Sequence, residues 1–144
     1  MNKNYNKNVF SNLRTGDVII FSSSYSGIYG LLDSMLKYFT NSSYTHVGFI
    51  VKEPKLGHKN LDPNCTYLWE SGYEGTPDPT DNKVKYGVQL TKLETVLQKF
   101  KNGNIYVRKL NCSNEECARI FNFKTMAPIQ HTVYGKPYDY NIFD

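Results

Sequence analysis

YTHVGFIVKE, residues 44–53, sets a histidine at the mouth of an apolar run of Val, Phe, Ile and Val. A short continuous apolar run bounded by polar residues reads as a strand, here 45–51, with both faces covered. Working outward, VIIF at 18–21 follows a Gly-Asp turn and has the same character. CTYLWES at 65–71 reads as a third strand, and GNIYVRKLN, which follows a Lys-Asn-Gly turn, as a further one.

Between these lie segments with helical spacing. In IYGLLDSMLKYFT (28–40) apolar residues fall at 28, 31, 32, 35, 36 and 39, which predicts a helix weakened somewhat by Gly30. A second helix is predicted over 92–100, with Leu93, Val96, Leu97 and Phe100 on one face. Ser113-x-x-Glu116 is a capping-box pattern, and the helix it opens is predicted to run to about Met126, ahead of Pro128. KEPKLGHKNLDPN reads as a surface loop. The polar stretch 72–86, rich in Gly, Pro and Asp, reads equally well as a lid or as a plain connector. The sum is an α+β domain built on a small, mainly antiparallel sheet with packed helices.

The length of 144 residues fits one domain, placed at 15–144 behind a polar lead-in at 1–14. Apolar residues at 40% and aromatics at 15% are sufficient for a core and exclude a disordered chain. The net charge of +4 permits contact with an anionic membrane surface without demanding it. Lys residues are dispersed, so no nucleic-acid footprint is expected. Cys65, Cys112 and Cys117 form no zinc-type pattern, and no metal or other cofactor is expected. Their odd number, with no secretory leader and no membrane-spanning run, points to the cytoplasm or another reducing compartment.

His46 gains weight from Glu70, which stands where the next strand leaves its apolar run. A buried carboxylate is costly unless something satisfies it. A neighbouring imidazole does so, and the carboxylate then fixes the ring's tautomer. The second ring nitrogen is left to take a proton from a thiol or hydroxyl, which makes two-thirds of a nucleophilic triad. The other polar residues invite plainer readings. Asp17 reads as a turn former, His58 and His131 as surface residues, and Tyr44 and Ser71 as candidates for lining a cleft beside the pair.

GDVIIF, SSYTHVGFIV, YLWESG, VQLTKL, IYVRKL and GKPYDYNIFD, in that order, resemble segments of the circularly permuted papain-like cysteine hydrolases of the NlpC/P60 superfamily, in particular its bacterial YiiX-like and poxviral members. The resemblance runs from Thr15 to Asp144. It implies a permuted papain-like fold, His46 as catalytic base and Glu70 as the residue that orients it. It also implies a nucleophilic Cys at the start of a helix beyond the GKPYD segment. No Cys follows that segment, so a domain truncated at its C-terminus is expected: either its last helix and nucleophile lie beyond Asp144, or it is a shortened member that has lost them. Cys117, in the first turns of the capped helix, is a weaker nucleophile candidate; Cys112 and Cys65 are weaker still.

The activity so implied is that of an amidase, peptidase or acyl-ester hydrolase working through an acyl-enzyme on a peptide, amide or lipid acyl substrate. The alternatives are an inactive binding or scaffolding module and a membrane-surface acyltransferase or phospholipase. A sheet face left uncovered by a missing helix would favour a homodimer.

Overall fold

The structure is a computed structural model of the chain, and it describes residues 10–22, 37–38, 41–52, 56 and 58–138. Five strands form one antiparallel sheet: β1 (Val18–Ser22), β2 (His46–Lys52), β3 (Thr66–Tyr73), β4 (Tyr86–Lys92) and β5 (Asn104–Arg108), in the spatial order β4-β3-β2-β1-β5. Three helices lie wholly within the described residues: α1 (Leu93–Lys99), α2 (Asn114–Ile120) and α3 (Phe123–Val133). The α+β expectation holds at this level. The helix predicted over 28–40 lies outside the described residues, except for Lys37 and Tyr38, which are helical.

Alternation divides the strand side chains between two cores. On one face Ile19, Phe21, Ile50 and Leu68 meet Leu13 and Leu93 and Val96 of α1, with Ile105 and Val107 of β5 at the margin. On the other, Val51, Tyr67 and Leu90 meet Met126 of α3, Leu56 and Leu61, with Phe49, Trp69 and Phe121 packed around them. Coverage of both faces explains why β1 and β2 are apolar nearly throughout. Full burial of such a side chain is worth roughly 1.5–3 kcal/mol.

Two features depart from the sequence-based expectation. The helix expected from Ser113 to about Met126 is two helices. Ser113 and Glu116 form the anticipated capping box, but Asn122 and Thr125 form a second one that restarts the chain as α3. The break lets Phe121 turn inward against Phe49, over Gly16. A Cβ at Gly16, whose φ is +102°, would lie 2.5 Å from the Phe121 ring. Pro128 does not stop α3 but sits inside it, where it removes only the N–H that would bond Lys124.

The second departure is β4. Its inward positions Gln89 and Thr91 are polar and buried, so hydrophobic alternation does not reveal it. Its outer edge is partly closed by residues 136–138: Val88 N–H donates to the Lys136 carbonyl, and Tyr138 N–H to the Tyr86 carbonyl. Gly87, φ +151°, permits that approach, because a Cβ there would lie 2.2 Å from the Lys136 carbonyl oxygen.

The segment between β3 and β4, for which the sequence left a lid and a plain connector equally open, is pinned to the body of the fold. Asp78 is buried and accepts hydrogen bonds from Thr80 N–H and Oγ1, Leu90 N–H and Lys85 Nζ. Cys112 and Cys117, expected as thiols, are joined in a disulfide. Among the described residues no helix is long and apolar enough to cross a membrane.

Asp17 ties β1 to the chain leaving β5. Its carboxylate, fully buried, accepts from Arg14 N–H, Leu110 N–H and Lys109 Nζ. Burial pushes the carboxyl up, but the Lys109 ammonium and the two backbone donors outweigh it and hold the group below the usual aspartate value. The stabilisation this provides is present above an unfolded aspartate's pKa of about 3.9 and lost as pH falls through the lower folded value. Asp17→Ala strips three donors of their acceptor, and urea denaturation at pH 7 is expected to show a loss of about 3–5 kcal/mol.

Candidate functional site

The site lies on the α1 side of the sheet, at the ends of β2 and β3. Gly48 pairs with Glu70 across the two strands, so His46 and Glu70 are diagonal neighbours on one face. The diagonal is closed by a contact of 2.5 Å between His46 Nε2 and Glu70 Oε2. The Glu70 side chain has no exposed surface, and that of His46 keeps 16%. Of the two glycines at the other corners of this diagonal, only Gly48 lacks room for a side chain. A Cβ at Gly48 would lie 2.3 Å from Leu68, and one at Gly72 would lie 3.4 Å from His46 Cε1.

Aromatic packing fixes the imidazole plane. The His46 ring lies parallel to Phe100 at 5.8 Å between centroids and 5.5 Å from Phe21, its partner on β1. No residue among those described hydrogen-bonds its Nδ1. The ring therefore has one nitrogen engaged by a carboxylate and one available to a proton donor or acceptor.

Sequence reasoning did not find the rest of the polar cluster. Glu74, just past β3, is buried and contributes a carboxyl oxygen to a group with His46 and Glu70 whose ligating atoms all lie within 4.8 Å of one another. Lys99, at the end of α1, donates to Glu74 Oε2 at 2.6 Å and also to the Glu74 carbonyl. Gln89 faces Glu70 from β4 and donates its amide to the Gly72 carbonyl at 2.5 Å. Glu74 lies within a stretch that sequence alone marks as loop, and Gln89 in a strand that hydrophobic patterning hides. The available signal was the even spacing of Glu70, Gly72 and Glu74, which puts all three on one strand face.

The other candidates are elsewhere. Ser71 projects to the opposite face, where with Val47, Phe49, Trp69 and Val88 it lines an apolar groove of about 380 Å³ against Ile129 and Val133 of α3. Tyr44 is exposed and packs edge-on against Tyr106. Neither contacts the histidine. Asp17 is a structural tie, His58 stacks on Tyr134, and His131 is exposed on α3.

No cysteine of the chain meets His46. Cys112 and Cys117 are bonded to each other. The Cys65 thiol donates to Asp62 at 3.4 Å, and burial first, then the Asp62 carboxylate, pushes its pKa up. That is the reverse of what activates a thiol. Comparison with protein-family models returned no match, and no curated protein matched the sequence.

Two outcomes are expected. Cys65 should alkylate with iodoacetamide no faster at pH 7 than an unperturbed thiol, as read by intact mass. Gly48→Ala drives a methyl into Leu68 and should cost about 1–3 kcal/mol in chemical denaturation, with the His46 ring resonances displaced.

Proposed function

We propose that the chain carries the acid–base half of an acyl-transfer site, in a cysteine hydrolase of the permuted papain-like kind. The observation that carries this reading is the His46 Nε2–Glu70 Oε2 contact of 2.5 Å, with no described residue hydrogen-bonded to Nδ1. A carboxylate on one imidazole nitrogen holds the ring in one orientation. Nδ1 is then the atom that takes a proton from an attacking thiol and returns it to the leaving group. The substrate class is an amide, ester or thioester carbonyl, on a peptide or a lipid acyl group. The thiol in this reading comes from outside the 144 residues, because the three cysteines within them are engaged elsewhere.

That last observation favours a second reading: a module that keeps the cleft and binds acyl or peptide ligands without turnover. The two separate in one experiment. The 144-residue chain is expected to show no iodoacetamide-sensitive hydrolysis of p-nitrophenyl esters, peptide amides or acyl thioesters. The translated product of the whole open reading frame is expected to show it. There, His46→Ala should lower kcat/KM by about 10²–10⁴-fold, and Glu70→Gln should lower kcat with little change in KM. A thiol-dependent rate in the 144-residue chain, lost in Cys117→Ser, would overturn the assignment of the nucleophile. Absence of any rate in the full product, with ligand binding retained, would establish the binding module.

A further inference from the structure

Only half of Glu70 is accounted for by its histidine. Oε2 meets His46, while Oε1 is buried and has no hydrogen-bond partner among the described residues. A carboxylate oxygen withdrawn from water calls for a donor. The backbone of β3 is committed to the sheet ladder, and the Gln89 amide on the facing strand is committed to the Gly72 carbonyl.

Glu74 is the group placed to answer. Only 7% of it is exposed, and its carboxyl oxygen lies within 4.8 Å of the ligating atoms of both His46 and Glu70. Two carboxylates this close in a site shut from water do not both ionise cheaply, whereas one proton between them turns repulsion into a hydrogen bond. Lys99 engages Glu74 Oε2 and the Glu74 carbonyl, which leaves Oε1 to carry that proton.

We propose that Glu74 is the protonated partner of Glu70: its carboxyl O–H turns onto Glu70 Oε1 and holds the Glu70 carboxylate in place on His46 Nε2. Glu74 is thereby a positioning residue for the imidazole, acting through Glu70. The arrangement deepens the acid–base reading above, since its value to catalysis rests on His46 being the base. Its existence can be tested without any reaction.

The charged groups around Glu74 come from three elements: His46 from β2, Glu70 from β3 and Lys99 from α1. Burial foremost, then the Glu70 charge, pushes the Glu74 carboxyl above the ordinary glutamate value, against the opposing pull of Lys99 and His46. A metal ion is the competing use of the same three side chains. Lys99 argues against it, because the ammonium already occupies a Glu74 oxygen and already supplies positive charge to the pair.

The test is a pH titration of the 144-residue chain with ¹³C-labelled glutamate carboxyls, assigned through bonds from the backbone so that the wild-type protein suffices. Glu74 is expected to titrate above the ordinary glutamate value of about 4.3. Glu74→Gln is expected to abolish that step and to leave the His46 ¹⁵N spectrum unchanged, because the amide still donates to Glu70. Glu74→Ala is expected to alter the His46 spectrum. Because the folded carboxyl holds its proton more tightly than the unfolded one, wild type should lose stability relative to Glu74→Gln as pH rises from about 4.3 through the raised value. A Glu74 carboxyl already ionised at pH 4.3 would overturn the proposal. So would uptake of one equivalent of Zn²⁺ by wild type but not by Glu74→Gln. None of these readouts involves hydrolysis, so an absent activity and a mistaken proton assignment are told apart.

Discussion

A carboxylate with none of its side-chain surface exposed, at Glu70, is the constraint to which this end of the sheet is built. A buried carboxylate must be met inside the protein, and the diagonal geometry of antiparallel strands brings His46 within its reach. Gly48, paired with Glu70, has no room for a side chain because a Cβ there would lie 2.3 Å from Leu68, whereas a Cβ at Gly72 would only touch the His46 ring at 3.4 Å. The imidazole is then held edgewise by the carboxylate and flatwise by Phe100. Position and plane of the ring thus have separate physical causes, one polar and one apolar.

The same face of the sheet is shared between this polar cluster and a hydrophobic core. Toward β1 and β5 it is filled by Ile19, Phe21, Ile105 and Val107, while toward β3 and β4 the inward positions become Glu70, Gln89 and Thr91. Helix α1 bridges the two regimes. Leu93 and Val96 enter the core, and one turn later Lys99 reaches Glu74. A single short helix therefore closes the core and supplies the cation that offsets the second carboxylate. Asp17 does comparable work at the opposite end of β1, where a buried aspartate gathers two backbone donors and a lysine to hold the exit of β5.

What could be read from the residues follows from this division. β1, β2, β3 and β5 carry apolar runs, and α1 an apolar stripe, so their periods were legible. The Ser113 capping box was legible because its chemistry is local. β4 was not, because its inward residues serve the polar cluster rather than the core, and binary patterning fails where a strand faces a site. The second capping box at Asn122 was obscured by Pro128, whose presence suggested a stop. At the site, His46 and Glu70 were legible as a costly carboxylate beside an imidazole. For Glu74 the only signal was its even spacing from Glu70, and Lys99 gave none, since the meeting of the two depends on how the chain turns after β3. Ser71, chosen for its adjacency to Glu70, lies on the other face by the same alternation that brings Glu70 inward.

A buried ion pair is weak evidence for stability: well-packed apolar residues of similar volume often serve a fold as well or better. The neighbours of this pair are Phe21, Phe100 and Leu68, among which an apolar replacement would sit without cost in solvation. The chain instead keeps two carboxylates, an imidazole and an ammonium there, with Gly48 at the point where a Cβ would run into Leu68. One buried carboxylate oxygen is even left without a donor in the described structure. Departures from local optimisation of this kind collect where a site needs particular protonation states rather than maximal burial. The histidine here has its orientation set through one nitrogen, and no described residue bonds the other, which is the feature the proposed acid–base role draws on.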